Sequence, residues 1–127
     1  MLPSYLSSNE QTKTTNYTMV AADSGLVTNV TGTTTITLPA AASGLVGATF
    51  TIRNAGPNNG DTLITIAPNA ADGVSGLGYT AATGKGPQQL AANSPHTGDQ
   101  ITLVCSGVTG VAGWYVTNAV GSWTRLP

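Results

Sequence analysis

His96, Asp99 and Cys105 are the residues whose types could build a nucleophilic site, in which a thiol is activated by an imidazole that a carboxylate orients. Their surroundings argue against that chemistry. Cys105 alternates in phase with Ile101 and Leu103, so its thiol is expected to face a core, and His96 falls in a turn between Pro95 and Gly98. As the single cysteine, Cys105 has no disulfide partner in the chain and reads as a buried structural thiol. Residues 78–85 resemble a phosphate loop, but the spacing is one residue too long, Gly86 stands where Ser or Thr must ligate magnesium, and no strand-then-helix unit surrounds them. One His and one Cys cannot supply the ligand set of a zinc ion. Asp61, Asp72 and Asp99 stand singly, without the spacing of a calcium loop, and are expected to be solvated turn residues that only a symmetry axis could gather round a metal. The chain is therefore expected to carry no catalytic residue, cofactor or metal site, and not to be an enzyme.

Binding chemistry has better candidates. Trp114 and Val116 alternate with Tyr115 and Thr117, which turns Trp114 to the core and Tyr115 to the opposite face. Trp123, beside Gly121-Ser122, could pack on the sheet or serve as an aromatic anchor. Together, Tyr79, Tyr115 and Trp123 are the residues from which an interface or glycan platform could be drawn. At the other end of the chain, Leu2, Pro3, Tyr5 and Leu6 form an apolar tip ahead of a polar spacer over residues 7–15. This segment reads either as a frayed terminus or as an arm that orders on a partner.

The elements that position these residues are strands. Residues 100–106 and 113–118 have the period of two and a short glycine-bearing loop between them, which predicts an antiparallel pair. Upstream, strands are predicted over 17–21, 26–30, 33–38, 49–54 and 63–67, with a single helical turn over 39–44. Asn59-Gly60 between the last two predicts that they pair as an antiparallel hairpin. Residues 68–99 hold most of the irregularity, with short strand pieces expected near Val74 and at 88–91 and a projecting tip at 84–87. The predicted fold is all-β: a small antiparallel β-sandwich, jelly-roll-like or β-barrel domain over 16–127, preceded by an extended N-terminal arm over 1–15.

Composition narrows the function further. Of 127 residues, 40% are apolar and 7% charged, and the polar half of each alternation is mostly threonine, so the chain is expected to fold rather than remain disordered. Four basic and five acidic residues are scattered singly, for a net charge of −1. With no basic stripe to hold phosphates or anionic lipid, neither nucleic acid nor a membrane surface is an expected partner. The N-terminus has no signal-peptide pattern and no run has the length of a membrane helix, so a soluble product made in a cytosol is expected.

Several stretches carry a family resemblance. Tyr17-Thr18-Met19-Val20-Ala21-Ala22-Asp23-Ser24-Gly25, Thr35-Ile36-Thr37-Leu38-Pro39-Ala40-Ala41, Phe50-Thr51-Ile52-Arg53-Asn54, Ile64-Thr65-Ile66-Ala67-Pro68, Gly98-Asp99-Gln100-Ile101-Thr102-Leu103-Val104 and Gly113-Trp114-Tyr115-Val116 follow in order. The chain from about 17 to 123 thereby resembles a small β-domain of tailed-bacteriophage virion proteins, found in capsid decoration (cement) proteins, head fibres and tail-fibre segments. The resemblance implies a non-enzymatic virion protein, made in the host cytoplasm and bound to the major capsid protein on the outer capsid surface as a homotrimer. It implies no small-molecule substrate, and on that reading the apolar tip Leu2, Pro3, Tyr5 and Leu6, which lies outside the resemblance and is read from its own composition, is expected to contact the capsid. The alternative it leaves open is a head-fibre or tail-fibre domain that binds a receptor or glycan through Tyr79, Tyr115 or Trp123.

Overall fold

The computed structural model describes residues 9–57 and 62–127. The apolar tip Leu2, Pro3, Tyr5 and Leu6, the Asn59-Gly60 pair and Asp61 lie outside the described residues. Among the described residues eleven strands follow one another: β1 (Glu10–Lys13), β2 (Tyr17–Thr18), β3 (Val27–Val30), β4 (Thr34–Thr37), β5 (Thr49–Asn54), β6 (Ile64–Ala67), β7 (Val74–Ser75), β8 (Pro87–Gln88), β9 (Gln100–Cys105), β10 (Trp114–Val120) and β11 (Thr124–Arg125). Single 3-10 turns stand at Ala21–Asp23, Ser43–Leu45 and Ala91–Asn93. The protein is all-β and its strands form two sheets, ordered β1-β3-β5-β9-β10-β7 and β11-β8-β6-β4-β2.

The alternation of threonine with isoleucine, leucine or phenylalanine builds the inner faces. In β5 and β9 every second residue is buried, as expected of strands with one face in a core. Side chains of both sheets meet in one cluster that includes Met19, Ile36, Phe50, Ile52, Ile64, Ile66, Ile101, Leu103, Cys105 and Trp114. Each such fully buried side chain contributes about 1.5–3 kcal/mol. The predicted antiparallel pairing of β9 with β10 is present, with Trp114 opposite Cys105 and a register shift between Val116 and Asn118.

The strand pairing differs from an antiparallel fold. From β1 to β6 the chain alternates between the sheets, and in each sheet the successive strands add in parallel: β1 to β3 to β5, and β2 to β4 to β6. Each parallel connection passes through a strand of the other sheet instead of a helix. Antiparallel β9 and β8 then close on β5 and β6. The hairpin expected between β5 and β6 does not form, because they lie in different sheets. Asn54, at the end of β5, is buried; its Nδ2 donates to the Thr62 carbonyl (2.9 Å), and its Oδ1 accepts from the Gly56 amide (3.1 Å). These bonds hold the chain as it leaves one sheet for the other.

Three further expectations are corrected. Residues 10–13, read as part of the arm, form the edge strand β1 on β3. They lack an apolar period because side-chain bonds hold them: Gln11 Nε2 donates to Thr28 Oγ1 (3.0 Å), Asn29 Nδ2 donates to Glu10 Oε1 (2.9 Å), and Arg53 pairs with Glu10. The 84–87 segment does not project, since Gly86 and Pro87 are buried and Gly86 accepts from the Leu126 amide (2.9 Å). The helical turn expected over 39–44 forms instead at Ser43–Leu45.

Candidate functional site

The structure separates the nucleophilic trio. Asp99 precedes β9 and Cys105 ends it, which puts them about 20 Å apart at the rise of an extended chain. Asp99 is occupied: its Oδ2 accepts from the His96 amide (2.9 Å) and from Gln89 Nε2 (3.1 Å), and Gln89 Oε1 accepts from Asn54 Nδ2 (3.0 Å). The carboxylate thus binds the backbone of His96 rather than orienting its imidazole. Cys105 is buried, and its Sγ accepts from the Gly107 amide (3.4 Å).

The expectation of solvated turn aspartates is overturned for Asp72 and Asp99, and Asp23 shares their burial. Asp72 accepts from the Ala41 amide at Oδ2 (2.7 Å) and from the Gly110 amide at Oδ1 (2.9 Å), so one carboxylate ties three loops together. Asp23 Oδ2 accepts from the Tyr17 hydroxyl (2.8 Å) and the Val20 amide (2.9 Å). That hydrogen bond, then burial and the carboxylate's charge, raises the Tyr17 pKa. A turn aspartate is sequestered here because loop amides lacking sheet partners need acceptors. Among the described residues no group of three or more His, Cys, Asp or Glu side chains could hold a metal ion.

The aromatic candidates do not converge. Trp123 is only 8% exposed, belongs to the core cluster and donates from Nε1 to the Val120 carbonyl (3.0 Å), so it packs and offers no open ring face. Tyr115 is 45% exposed and lies opposite Val104 and Ser75 on neighbouring strands, facing away from the core that its neighbour Trp114 enters. Tyr79 is half-buried; its enclosed hydroxyl has no hydrogen-bond partner among the described residues, and burial pushes its pKa up to about 12 against the opposing charge of Arg125. Arg125 Nη1 donates to the carbonyl of Thr80 (3.0 Å), so Tyr79 belongs to the sheet edge at β11.

A different surface emerges at one end of the molecule. Because β1, β3 and β5 run the same way and β9 opposes them, Asn9, the 20–26 turn, the 42–48 loop and the 106–113 loop share that end. Backbone bonds lace it together: Val27 to Asn9 (2.8 Å), Gly25 to Thr49 (2.8 Å), Gly47 to Cys105 (2.9 Å), Ser106 to Gly113 (2.9 Å) and Gly73 to Gly110 (2.9 Å), each amide donating to the carbonyl. Val20, Val46, Val108 and Val111 are exposed there. Sequence reasoning missed these valines, because a valine outside a strand has no phase that marks its face. It also missed Asn54 and Gln89, although Asn54 falls in phase with buried Phe50 and Ile52 and was therefore readable as inward.

No protein-family model matches the chain, and no curated protein sequence matches it. Its arrangement, with acids tied to backbone amides and apolar side chains on laced loops, is suited to holding a rigid shape and contacting another surface.

Proposed function

We propose that this protein is a non-enzymatic capsid decoration protein of a tailed bacteriophage, a small sandwich-type β-domain that binds the major capsid protein on the outside of the assembled shell and stabilises it. The reading rests on the resemblance of residues 17–123 together with one observation. The N-terminal segment enters the domain through β1, an edge strand with no strand on its outer side among the described residues, so partner-binding chain would continue directly from the sheet. A trimeric state is supported by the edge strand β7, Val74–Ser75, which carries no charge to discourage pairing, whereas at the edge strand β2 the Lys13 ammonium lies over the Tyr17 ring at 3.9 Å from its centroid. The exposed ring of Tyr115 supports the second reading, a fibre domain that binds a receptor or glycan. Gel quantitation of purified virions tests the proposal. A copy number that rises with the number of capsid subunits is expected; the few copies of a fibre would replace the first reading with the second.

A further inference from the structure

We infer that the second half of β10, residues 117–120, is an open sheet edge at which two copies of the free protein pair antiparallel about a two-fold axis at Ala119. The inference goes beyond the decoration reading and does not rest on it. β10 has seven residues, and β9 follows it as far as Val120. On its other side β7 reaches only Trp114 and Tyr115, and no strand pairs there with residues 117–120 among the described residues. Thr117, Asn118, Ala119 and Val120 are each exposed, so the strand runs on past the cover that β7 gives its first half.

Unpaired strand edges are normally guarded by charge, proline or a bulge. Here the four residues carry no charge, and the register shift between Val116 and Asn118 stands at the covered end of the stretch. The other sheet margins offer a poorer match. β1 carries Glu10 and Lys13, the Lys13 ammonium lies over the Tyr17 ring of β2, and β11 carries Arg125. β7 is uncharged but only two residues long. The uncharged complement that the molecule itself offers to β10 is therefore β10 of a second copy, in a contact where each strand makes the same bonds to the other.

The register follows from the strand's surroundings. Successive residues face opposite sides of a sheet, so a two-fold antiparallel pair is centred on a residue. Centring on Asn118 would set Val120 of one copy against Val116 of the other, where Gly76 already lies: a Cβ there would stand 2.9 Å from the Val116 carbonyl oxygen. Centring on Ala119 sets that small side chain against its own copy and Asn118 against Val120, and the strand ends before Gly121 with its φ of +90°. The charged groups near this end are engaged. Asp99 stands against Gly121 but is buried and accepts from Gln89 and the His96 amide, while Arg125 lies in the other sheet and donates to the Thr80 carbonyl. Four residues a side is a small contact beside the roughly 800 Å² per partner of a standard interface, so the pairing is weak and depends on concentration.

Sedimentation of the full chain from micromolar to millimolar concentration tests this, with A119K, A119E, their equal mixture, and V46K in the exposed loop beside Cys105 at the other end of β9. Wild type and V46K should pass from monomer to dimer. A119K alone and A119E alone set like charges face to face at the axis and should each raise the dissociation constant at least about tenfold. Their mixture should regain the dimer, because opposite charges then meet. Circular dichroism checks the folds; if a variant misfolds, hydrogen exchange at the outward amides of residues 117–120 in the wild type decides, and it should slow as concentration rises. A wild type that stays monomeric, with exchange independent of concentration, overturns the inference, as does a trimer that A119K leaves intact. A mixture that remains monomeric, or loss of the dimer in V46K as well, also overturns it.

Discussion

Replacing Trp114 separates two contributions that the structure sets against each other. The indole is fully buried, lies between Cys105 and Val74 in the sheet and stacks on Phe50 at 5.4 Å between centroids and 28° between planes. Truncation to alanine removes this packing and leaves a cavity, which costs about 3–5 kcal/mol. The indole Nε1, however, is buried without a hydrogen-bond partner among the described residues. An unsatisfied buried donor costs about 1–3 kcal/mol. Trp114→Phe keeps the ring against Phe50, deletes the orphan N–H and opens a smaller void, so the two effects largely cancel and a net change within about 1 kcal/mol is expected. Urea unfolding followed by far-ultraviolet circular dichroism, read at equal slope, measures both variants. If the phenylalanine variant loses as much as the alanine variant, the N–H is satisfied after all and the cancellation fails. If alanine costs under about 1 kcal/mol, Trp114 is not in the core and the register is wrong, since a one-residue slip exchanges the faces.

Asp72→Ala deletes the acceptor for the Ala41 and Gly110 amides, and at about 1.5–3 kcal/mol for each of the two bonds it should cost about 3–6 kcal/mol, with hydrogen-exchange protection lost at both amides; a loss under about 1 kcal/mol would mean the loops hold without it. Gly121 has φ of +90° and a Cβ there would overlap the Asp99 carboxylate, so Gly121→Ala should cost at least about 1–2 kcal/mol and lower the melting temperature; an unchanged melting temperature would contradict this packing. Tyr79, raised by burial from 10.0 to about 12, stays protonated when folded at pH values where the unfolded chain has released its proton. Its contribution is therefore complete below pH 10 and lost as the pH rises to about 12. The ultraviolet titration difference between wild type and Tyr79→Phe should be centred near pH 12, and a difference centred near 10 would refute the burial of that hydroxyl.

The sequence made the strands legible where one face is apolar. Ile36 and Leu38, Phe50 and Ile52, Ile64 and Ile66, and Ile101 and Leu103 all fall inward as their alternation predicts. It hid β1, whose Glu10 and Gln11 are held by side-chain bonds across to Asn29 and Thr28 and show no apolar period. It misdirected the β5–β6 connection, because Asn59-Gly60 is a local hairpin signal while the parallel registers Val27 with Thr51 and Ile36 with Ile66 are long-range choices that no local pattern encodes. Turn aspartates read as solvated because their acceptor role depends on loops distant in sequence, as Asp72 shows by joining Ala41 to Gly110. The valine-bearing end was invisible for the same reason: Val46 and Val108 become neighbours only when Gly47 donates to Cys105 and their loops meet.

The proposed stabilisation of an assembled shell without chemistry is tested by heating undecorated capsids with increasing amounts of the purified protein and following their disruption by light scattering. The prediction is saturable binding at a fixed ratio of chains to capsid subunits, accompanied by a disruption temperature that rises with occupancy and then levels off at saturation. Capsids that bind no protein, or that saturate with it and still break at the temperature of bare shells, would contradict the account.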